Sequence, residues 1–443
     1  MAISRKIDSI SLKKKNHKKV TPKKVHYKFA NFWWLLLLLP LFIFFSFWLL
    51  KNNENKLDLI KFFRSGRYLV LFQNNAELRP TGGFIGSFAV VDFQNYRIKN
   101  VNFNTNIYKL DNAFKSDHVI VPPKPLAAMD GNKWYLCDSN FDVSLPEASQ
   151  DIEWFYNQET GDKVDGIITI NASLVRDLIK IVGPIELPDT KTTITADNFF
   201  TQLTTIIEND YYQNSDNKIV NEPKSVLTEM FPSIIKKAIS LPKWRLAQII
   251  FNALKTKDIM FYANNTEIEN AILSQNWGGA VSSSNGDYLY VNDANVGGGK
   301  SSLNIAEDIN YNISHNDSGL TGNLILTRTH LGTGVWPDQA NHSWTRILAP
   351  MGSTLQSAVL NGQDVTSKME TGAEAGKTYF ANYIDVAPGK SSILNLTYTL
   401  PINPQDYQLL VQKQSGNSGN TMKVSFDNHV LFDGILNNDK LIK

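Results

Sequence analysis

A glycine-rich turn carries the residues with the best-defined chemistry in this sequence. Arg79–Ser87 reads RPTGGFIGS; successive glycines let backbone N–H groups converge on an anion, and an arginine can grip phosphate through two parallel donors. The same glycines also fit a tight connection between two buried strands. The spacing is neither that of a P-loop nor that of a dinucleotide fingerprint, so both interpretations stay open. The phosphate-binding candidates are Arg79, Gly82, Gly83, Gly86, Ser87 and, at the end of the preceding strand, Asn74.

A second polar motif, Asp138–Asp142 (DSNFD), alternates oxygen ligands as the start of a calcium loop does. A complete EF-hand loop has Gly at its sixth position and Glu at its twelfth, where this chain has Val143 and Gln150. The pattern therefore favours an ordinary loop that leads into a helix capped by Ser144. Asp138 is also a candidate metal ligand beside the glycine-rich turn, so the sequence leaves magnesium open as a cofactor.

Other motifs of catalysis are missing from the sequence. The histidines have no metal-ligand spacing, and neither HExxH nor GxSxG occurs. Cys137 is the single cysteine, which excludes an intrachain disulfide and a cysteine-rich metal site. Gly297–Gly299 with Lys300 lacks the Walker pattern and is predicted to be a hairpin turn. The sequence therefore assigns no catalytic residue and leaves an enzymatic activity open.

The elements that position the turn are predicted to form an α/β domain over residues 67–275, because apolar strand-like runs alternate there with helical patterns. Tyr68–Phe72 (YLVLF) is a continuous apolar run, typical of a strand buried on both faces. Ser144 with Glu147 three residues later predicts the start of a helix. The other predicted elements are a hairpin over 88–93 and 97–103, strands at 164–170 and 259–263, and helices up to Val182 and at 196–209, 224–240 and 243–255.

Residues 287–436 show a different pattern. Short β-rich runs are separated by turns that contain Gly, Asn and Pro, such as Asn361–Gly362 and Pro388–Gly389. This spacing predicts an antiparallel β-sandwich as the second domain.

Charge is distributed unevenly along the chain of 443 residues. Residues 1–50 hold ten Lys and Arg and one acid, Asp8. By subtraction from the totals of 44 and 42, residues 51–443 carry 34 basic and 41 acidic residues. A body with net negative charge argues against nucleic acid as a partner. The basic charge belongs to one short tail, residues 1–31.

Residues 32–50, FWWLLLLLPLFIFFSFWLL, contain no charged residue. A helix of this length, rising about 1.5 Å per residue, spans close to the roughly 30 Å of bilayer hydrocarbon. The sequence therefore predicts one transmembrane helix with a basic cytoplasmic tail, a juxtamembrane linker over 51–66, and residues 51–443 outside the plasma membrane. The alternative of a cleaved signal peptide is disfavoured, because no small-residue cleavage site follows.

Several segments resemble a bacterial family known as domain of unknown function 4012. They are LVLFQNNAELRPTGGFIGSFAVVDF (Leu69–Phe93), KVDGIITINASLVRDLIKIVGPIELP (Lys163–Pro188), DYLYVNDANVGGGKSSLNI from Asp287, and YQLLVQKQSG (Tyr407–Gly416). The resemblance covers nearly all of residues 66–430 in the right order.

That family more remotely resembles the LytR–CpsA–Psr transferases of cell-envelope assembly. This resemblance implies a LytR–CpsA–Psr-like α/β domain, a polyprenyl-phosphate-linked glycopolymer as partner, and Asp and Arg residues around magnesium-bound pyrophosphate. The chain departs from those enzymes where their Arg–Asp pair stands, because it reads Asn102–Thr105 (NFNT) there, and Gly86–Ser87 replaces their hairpin Asp. Two functions follow: binding or transfer of an envelope glycopolymer, or a non-catalytic module for cell-surface assembly or adhesion.

Overall fold

The protein is represented by a computed structural model that describes residues 56–114, 120–131, 133–213, 222–317 and 319–443. Within these residues the strands form four sheets of five, seven, six and two strands.

The fold class predicted from the sequence, an α/β domain and a β-sandwich behind one N-terminal transmembrane helix, is wrong as stated. The structure is an α/β protein with many strands and several sheets. No helix in the described ranges is long and apolar enough to cross a membrane. The predicted tail (1–31) and span (32–50) lie outside the described residues. The predicted linker, 51–66, includes a helix, α1 (Lys56–Phe62), and the start of the first strand.

A five-stranded mixed sheet organises the α/β domain. Its order is β3-β2-β1-β4-β7, and only β1 and β4 run parallel to each other. The strands are β1 (Ser65–Asn74), β2 (Phe84–Gln94), β3 (Arg97–Asn104), β4 (Gly166–Asn171) and β7 (Ile259–Ala263), and a separate two-stranded sheet joins β5 (Ile185–Leu187) to β6 (Thr192–Ile194).

Helices cover both faces of this sheet. β1 alternates, because Leu69 and Leu71 pack into one apolar cluster while Tyr68 and Val70 pack into another on the opposite face. The continuous apolar run in the sequence is thereby explained. The helices after α1 are α2 (Ile107–Ala113), α3 (Lys124–Asp130), α4 (Leu145–Thr160), α5 (Ala172–Val182), α6 (Phe199–Thr204), α7 (Val226–Ile239), α8 (Lys243–Lys255) and α9 (Thr266–Ser274).

The β-sandwich consists of a seven-stranded and a six-stranded sheet around one apolar core. The seven-stranded sheet has the order β13-β12-β16-β10-β9-β18-β19, and the six-stranded sheet has the order β14-β15-β11-β8-β17-β20. In chain order the strands are β8 (Asp287–Asn295), β9 (Ile305–Asn316), β10 (Gly319–His330), β11 (Asn341–Pro350), β12 (Thr354–Leu360), β13 (Gln363–Asp364), β14 (Glu370–Glu374), β15 (Lys377–Val386), β16 (Ser391–Leu400), β17 (Leu409–Gln412), β18 (Asn420–Phe426), β19 (His429–Leu436) and β20 (Lys440–Ile442).

The sequence predicted an antiparallel sandwich, but the structure also contains two parallel strand pairs. β17 pairs parallel with β8, and β18 pairs parallel with β9. The reason is that the C-terminal strands return to lie beside the first two strands of the domain. Turn signals reveal where strands end but not which strand a distant one will join.

The six-stranded sheet also packs against the α/β domain. Every residue of β8 is buried, since one face of the strand lies in the sandwich core and the other contacts Phe141 and Val143 of the first domain. The contact region includes both polar motifs singled out from the sequence.

Candidate functional site

The glycine-rich turn lies at the contact between the domains. A Cβ added to Gly82 would come within 2.4 Å of Asn171 Oδ1 and 2.8 Å of Ser415 Oγ, and one added to Gly83 would meet the Asn74 backbone at 2.4 Å. From the other side, a Cβ at Gly416 would lie 2.1 Å from the Gly82 carbonyl oxygen. These two turn glycines are therefore required by close approach of neighbouring chain segments.

Arg79 is fully buried in the same contact. Its Nε donates to Asp138 Oδ1 at 2.8 Å, one terminal nitrogen donates to Glu77 Oε1 at 3.0 Å, and the other donates to the carbonyl oxygen of Asn295 in β8. Burial alone would lower the pKa of Arg79, but the carboxylates of Asp138 and Glu77 raise it above its usual value. Every guanidinium nitrogen thus has a protein acceptor. Phosphate binding by Arg79 stays a prediction.

The other predicted site residues do not form one cluster around a ligand. Asn74 accepts a hydrogen bond from the Ala76 backbone N–H at 3.2 Å, and Ser87 lies buried in β2 opposite Phe72. Gly86 directly precedes Ser87 in β2. Asp138, the predicted magnesium ligand, faces Arg79, and the described residues include no group of three or more His, Cys, Asp or Glu placed to hold a metal ion.

A cleft of about 230 Å³ opens between the domains. The α/β domain contributes the loop before α3, Trp134 and the start of α4, and the sandwich contributes β11, β14 and β15. Aromatic rings and charged groups share the lining, which consists of Pro123, Lys124, Pro125, Trp134, Phe141, Asp142, Asp151, Trp344, Arg346, Glu370, Glu374 and Tyr379.

Arg346 fixes the floor of this cleft. One terminal nitrogen donates to both carboxylate oxygens of Glu374, at 3.0 and 2.9 Å, and the other donates to the Phe141 carbonyl oxygen at 2.9 Å. Its guanidinium carbon lies 5.6 Å from the centre of the Phe141 ring. Because Arg346 is in β11 and Phe141 is in the first domain, these contacts fix the positions of the two cleft walls relative to each other. The Nε of Arg346 is buried and has no partner within the described chain.

Two carboxyl groups in the cleft have unusual acidity. Burial, together with the charges of Glu374 and Asp151, raises the pKa of Asp142 to about 7. Burial also raises the pKa of Asp151, whose side chain is hydrogen-bonded to Asp142. Neighbouring carboxyls in a poorly hydrated site cannot both ionise easily. Such perturbed groups in a cleft are typical of functional sites.

Sequence reasoning missed this cleft because its lining spans residues 123–379. The one usable signal was the DSNFD motif, which contains Asp142 and Phe141. That motif was interpreted through the calcium-loop pattern, which considers neighbours along the chain, whereas Asp142 acquires its chemistry from Asp151 and from Glu374 of the other domain.

No curated protein matches the chain. Among solved structures, it is similar to a protein of Legionella pneumophila described as nutrient-binding (12% identity, TM-score 0.17, 25% of this chain and 51% of that one). It is also similar to an M1 zinc metallopeptidase from Deinococcus radiodurans (18% identity, TM-score 0.16, 27% and 31%) and to leukotriene A4 hydrolase from Saccharomyces cerevisiae (11% identity, TM-score 0.17, 28% and 23%). The chain spans about half or less of each structure, and these likenesses carry no argument about its fold or activity.

The segment from β1 to the residues after α6 matches a family model. The model, described as "Protein of unknown function (DUF4012)", covers residues 65–212. This range includes the glycine-rich turn and the cleft residues Trp134, Asp142 and Asp151. The resemblance to this family predicted from the sequence is thereby confirmed for residues 65–212, the segment that its model matches.

Proposed function

We propose that the protein binds an envelope glycopolymer, with one sugar ring of the chain held in the cleft between its two domains. The observation that carries this proposal is the pairing of aromatic rings with carboxyl groups in one opening, namely Trp134, Trp344 and Tyr379 with Asp142 and Glu370. A sugar ring has apolar C–H faces and a rim of hydroxyl groups. Aromatic rings pack against the C–H faces, and carboxylates accept hydrogen bonds from the hydroxyl groups.

The size and setting of the cleft support a segment of a longer chain as ligand. Its volume of about 230 Å³ is below the roughly 300–1,000 Å³ typical of sites for drug-sized ligands. A single ring in an opening between domains leaves the rest of a polymer free to continue on either side. Arg346 preorganises the walls, because its contacts to Glu374 and Phe141 exist without ligand.

The arrangement favours binding without chemistry. Glycosidases hold two carboxyl groups roughly 5 Å or more apart, so that one can attack or activate water while the other protonates the leaving group. Asp142 and Asp151 are instead hydrogen-bonded to each other. The proposal therefore combines glycopolymer binding with the non-catalytic alternative drawn from the sequence. Its setting is the expected one, with residues 51–443 outside the plasma membrane.

Titration of the purified full-length chain with isolated envelope polysaccharide, followed by tryptophan fluorescence, tests the proposal. Trp134 and Trp344 line the cleft, so their emission should change on binding. Trp344→Ala should abolish the response, whereas Trp244→Ala, at a 57% exposed position on α8, should leave the affinity unchanged. Because Trp344 is itself buried, Asp151→Asn serves as a variant with less risk to folding. Unchanged affinity in both cleft variants would refute the proposal.

A further inference from the structure

The strand that follows the glycine-rich turn contains a β-bulge at Gly86. In the pairing of β1 with β2, Phe72 lies opposite Ser87 and Gln73 lies opposite Ile85, so Gly86 is left out of the register. The pairing of β2 with β3 begins only at Phe88. Gly86 therefore has no partner in the register of either neighbouring strand, and its carbonyl group is available to other contacts. Bulges of this kind are frequent next to functional sites, where they redirect backbone groups.

Lys224, in the turn before α7, reaches this bulge. Its ammonium group donates to the Gly86 carbonyl oxygen and lies 5.2 Å from the centre of the Tyr108 ring. A Cβ at residue 86 would lie 3.0 Å from the Lys224 nitrogen. Glycine at the bulge therefore leaves the room that the ammonium group occupies.

The charge of Lys224 is not balanced by a direct ion pair. Among the described residues no carboxylate lies within 4.0 Å of its nitrogen, although the side chain is half-buried. Burial and, to a smaller extent, the positive charge of Lys300 lower its pKa to about 8, against weaker opposing effects of Cys137, Glu208 and Glu77. Lys300 forms its own ion pair with Glu208.

A partly buried ammonium with one neutral acceptor and a second ammonium nearby is unfavourable in an empty protein. An ammonium has three N–H donors, and the structure gives a protein acceptor for one of those of Lys224. An anion placed between the two lysines would accept the free donors and reduce their repulsion.

We propose that the β-bulge at Gly86, with Lys224 and Lys300, forms a binding site for a phosphate or pyrophosphate group. The site includes one of the candidates from the sequence, Gly86, but its cations are Lys224 and Lys300 instead of Arg79. It is separate from the cleft, shares no residue with it, and rests on different contacts.

Calorimetric titration of the full-length chain with inorganic pyrophosphate tests this site. The unmodified protein should bind, and Lys224→Gln should weaken binding about ten- to a hundredfold, as expected for loss of one charge-assisted contact. Glu208→Gln should strengthen binding, because it releases Lys300. Lys99→Ala, at an exposed position on β3, is the matched control and should bind like the unmodified chain.

Two further measurements complete the test. Gly86→Ala keeps both charges but places a methyl group against the ammonium, so it should also weaken binding. Titration with farnesyl pyrophosphate identifies the source of the group: tighter binding than inorganic pyrophosphate indicates a lipid-linked phosphate, and equal binding indicates a free one. No binding by the unmodified chain, or equal binding by Lys224→Gln, would overturn the proposal. Pyrophosphate contains no sugar, so either result leaves the glycan cleft to its own test.

Discussion

Arg79 and Lys224 lie beside the two ends of the same glycine-rich segment, and their surroundings differ in one decisive respect. Arg79 is wholly buried, yet two carboxylates and a carbonyl group balance it. Lys224 is only half-buried, yet its direct protein partner is a neutral carbonyl group. The residue type most typical of phosphate recognition thus connects the domains, while a less conspicuous lysine keeps unused donors. The number of acceptors around a cation therefore indicates better than its residue type whether it connects the domains or has donors left for a ligand.

The largest effect is expected from Arg79→Ala. The substitution leaves the carboxylates of Glu77 and Asp138 without their cation in the contact between the domains. Breaking a buried ion pair in this way costs about 3–5 kcal/mol, which urea denaturation would measure as a lower free energy of unfolding. Arg97→Ala, at an exposed position on β3, should cost no more than about 0.5 kcal/mol. A loss below about 1 kcal/mol at Arg79 would contradict its structural role.

Gly82→Ala tests whether the turn is packed or kept open for a ligand. The new methyl group would overlap Asn171 and Ser415 at a residue whose φ is 138°, so we expect a loss of roughly 1–3 kcal/mol. Gly298→Ala is the control, because φ there is also positive, at 71°, but nothing lies within 4 Å of the added carbon. Thermal denaturation of both variants measures the two effects separately, because Gly298→Ala introduces backbone strain alone and Gly82→Ala adds steric overlap. Equal destabilisation would mean that the turn is not closely packed.

Asp142→Asn extends the comparison to a carboxyl group whose ionised form is disfavoured by burial and by neighbouring carboxylates. The fold raises the Asp142 pKa from 3.8 to about 7, so the folded chain holds this proton more tightly than the unfolded chain. Ionisation therefore costs stability progressively as the pH rises from about 4 to about 7. Asp142→Asn removes that cost, and its melting temperature should exceed that of the unmodified chain more at pH 8 than at pH 5. Asp433→Asn, an exposed position on β19, should show no such trend.

The smallest expected effect concerns the pH dependence of anion binding at Lys224. Inorganic phosphate should bind about tenfold more weakly at pH 9 than at pH 7, because a lysine with a pKa of about 8 is then mostly neutral. Lys224→Arg keeps its charge throughout this range, so its affinity should stay nearly constant. Calorimetry at the two pH values compares them. A parallel fall in both proteins would assign the effect to another group.

Local sequence patterns predicted local structure well. The apolar run at Tyr68–Phe72 lies in β1, and the helix expected after Ser144 is Leu145–Thr160. The helix near Lys243–Lys255 has those bounds in the structure. In each case the signal and the element occupy the same residues, because strand periodicity, capping and helix periodicity act over a few positions.

The contacts of the candidate sites escaped prediction for the opposite reason. Asp138 is 59 positions from Arg79, and Asn295 is 216 positions away. The motif around Arg79 indicated a strong donor of hydrogen bonds but not which acceptors the fold would supply. Lys224 belonged to no motif, since its importance depends on the bulge at Gly86, and a single skipped residue in strand pairing leaves no pattern in the sequence.

The return of the C-terminal segment to the first domain has a consequence for synthesis of the chain. Asn75 donates to the Gly416 carbonyl oxygen at 2.9 Å, and Ser415 donates to the Lys257 carbonyl oxygen at 2.6 Å. The glycine-rich turn of the α/β domain is therefore completed by residues that leave the ribosome more than 300 positions later. A nascent α/β domain must wait for strand β8 and the residues after β17 before its turn is enclosed, so a chain interrupted within the sandwich leaves both domains incomplete.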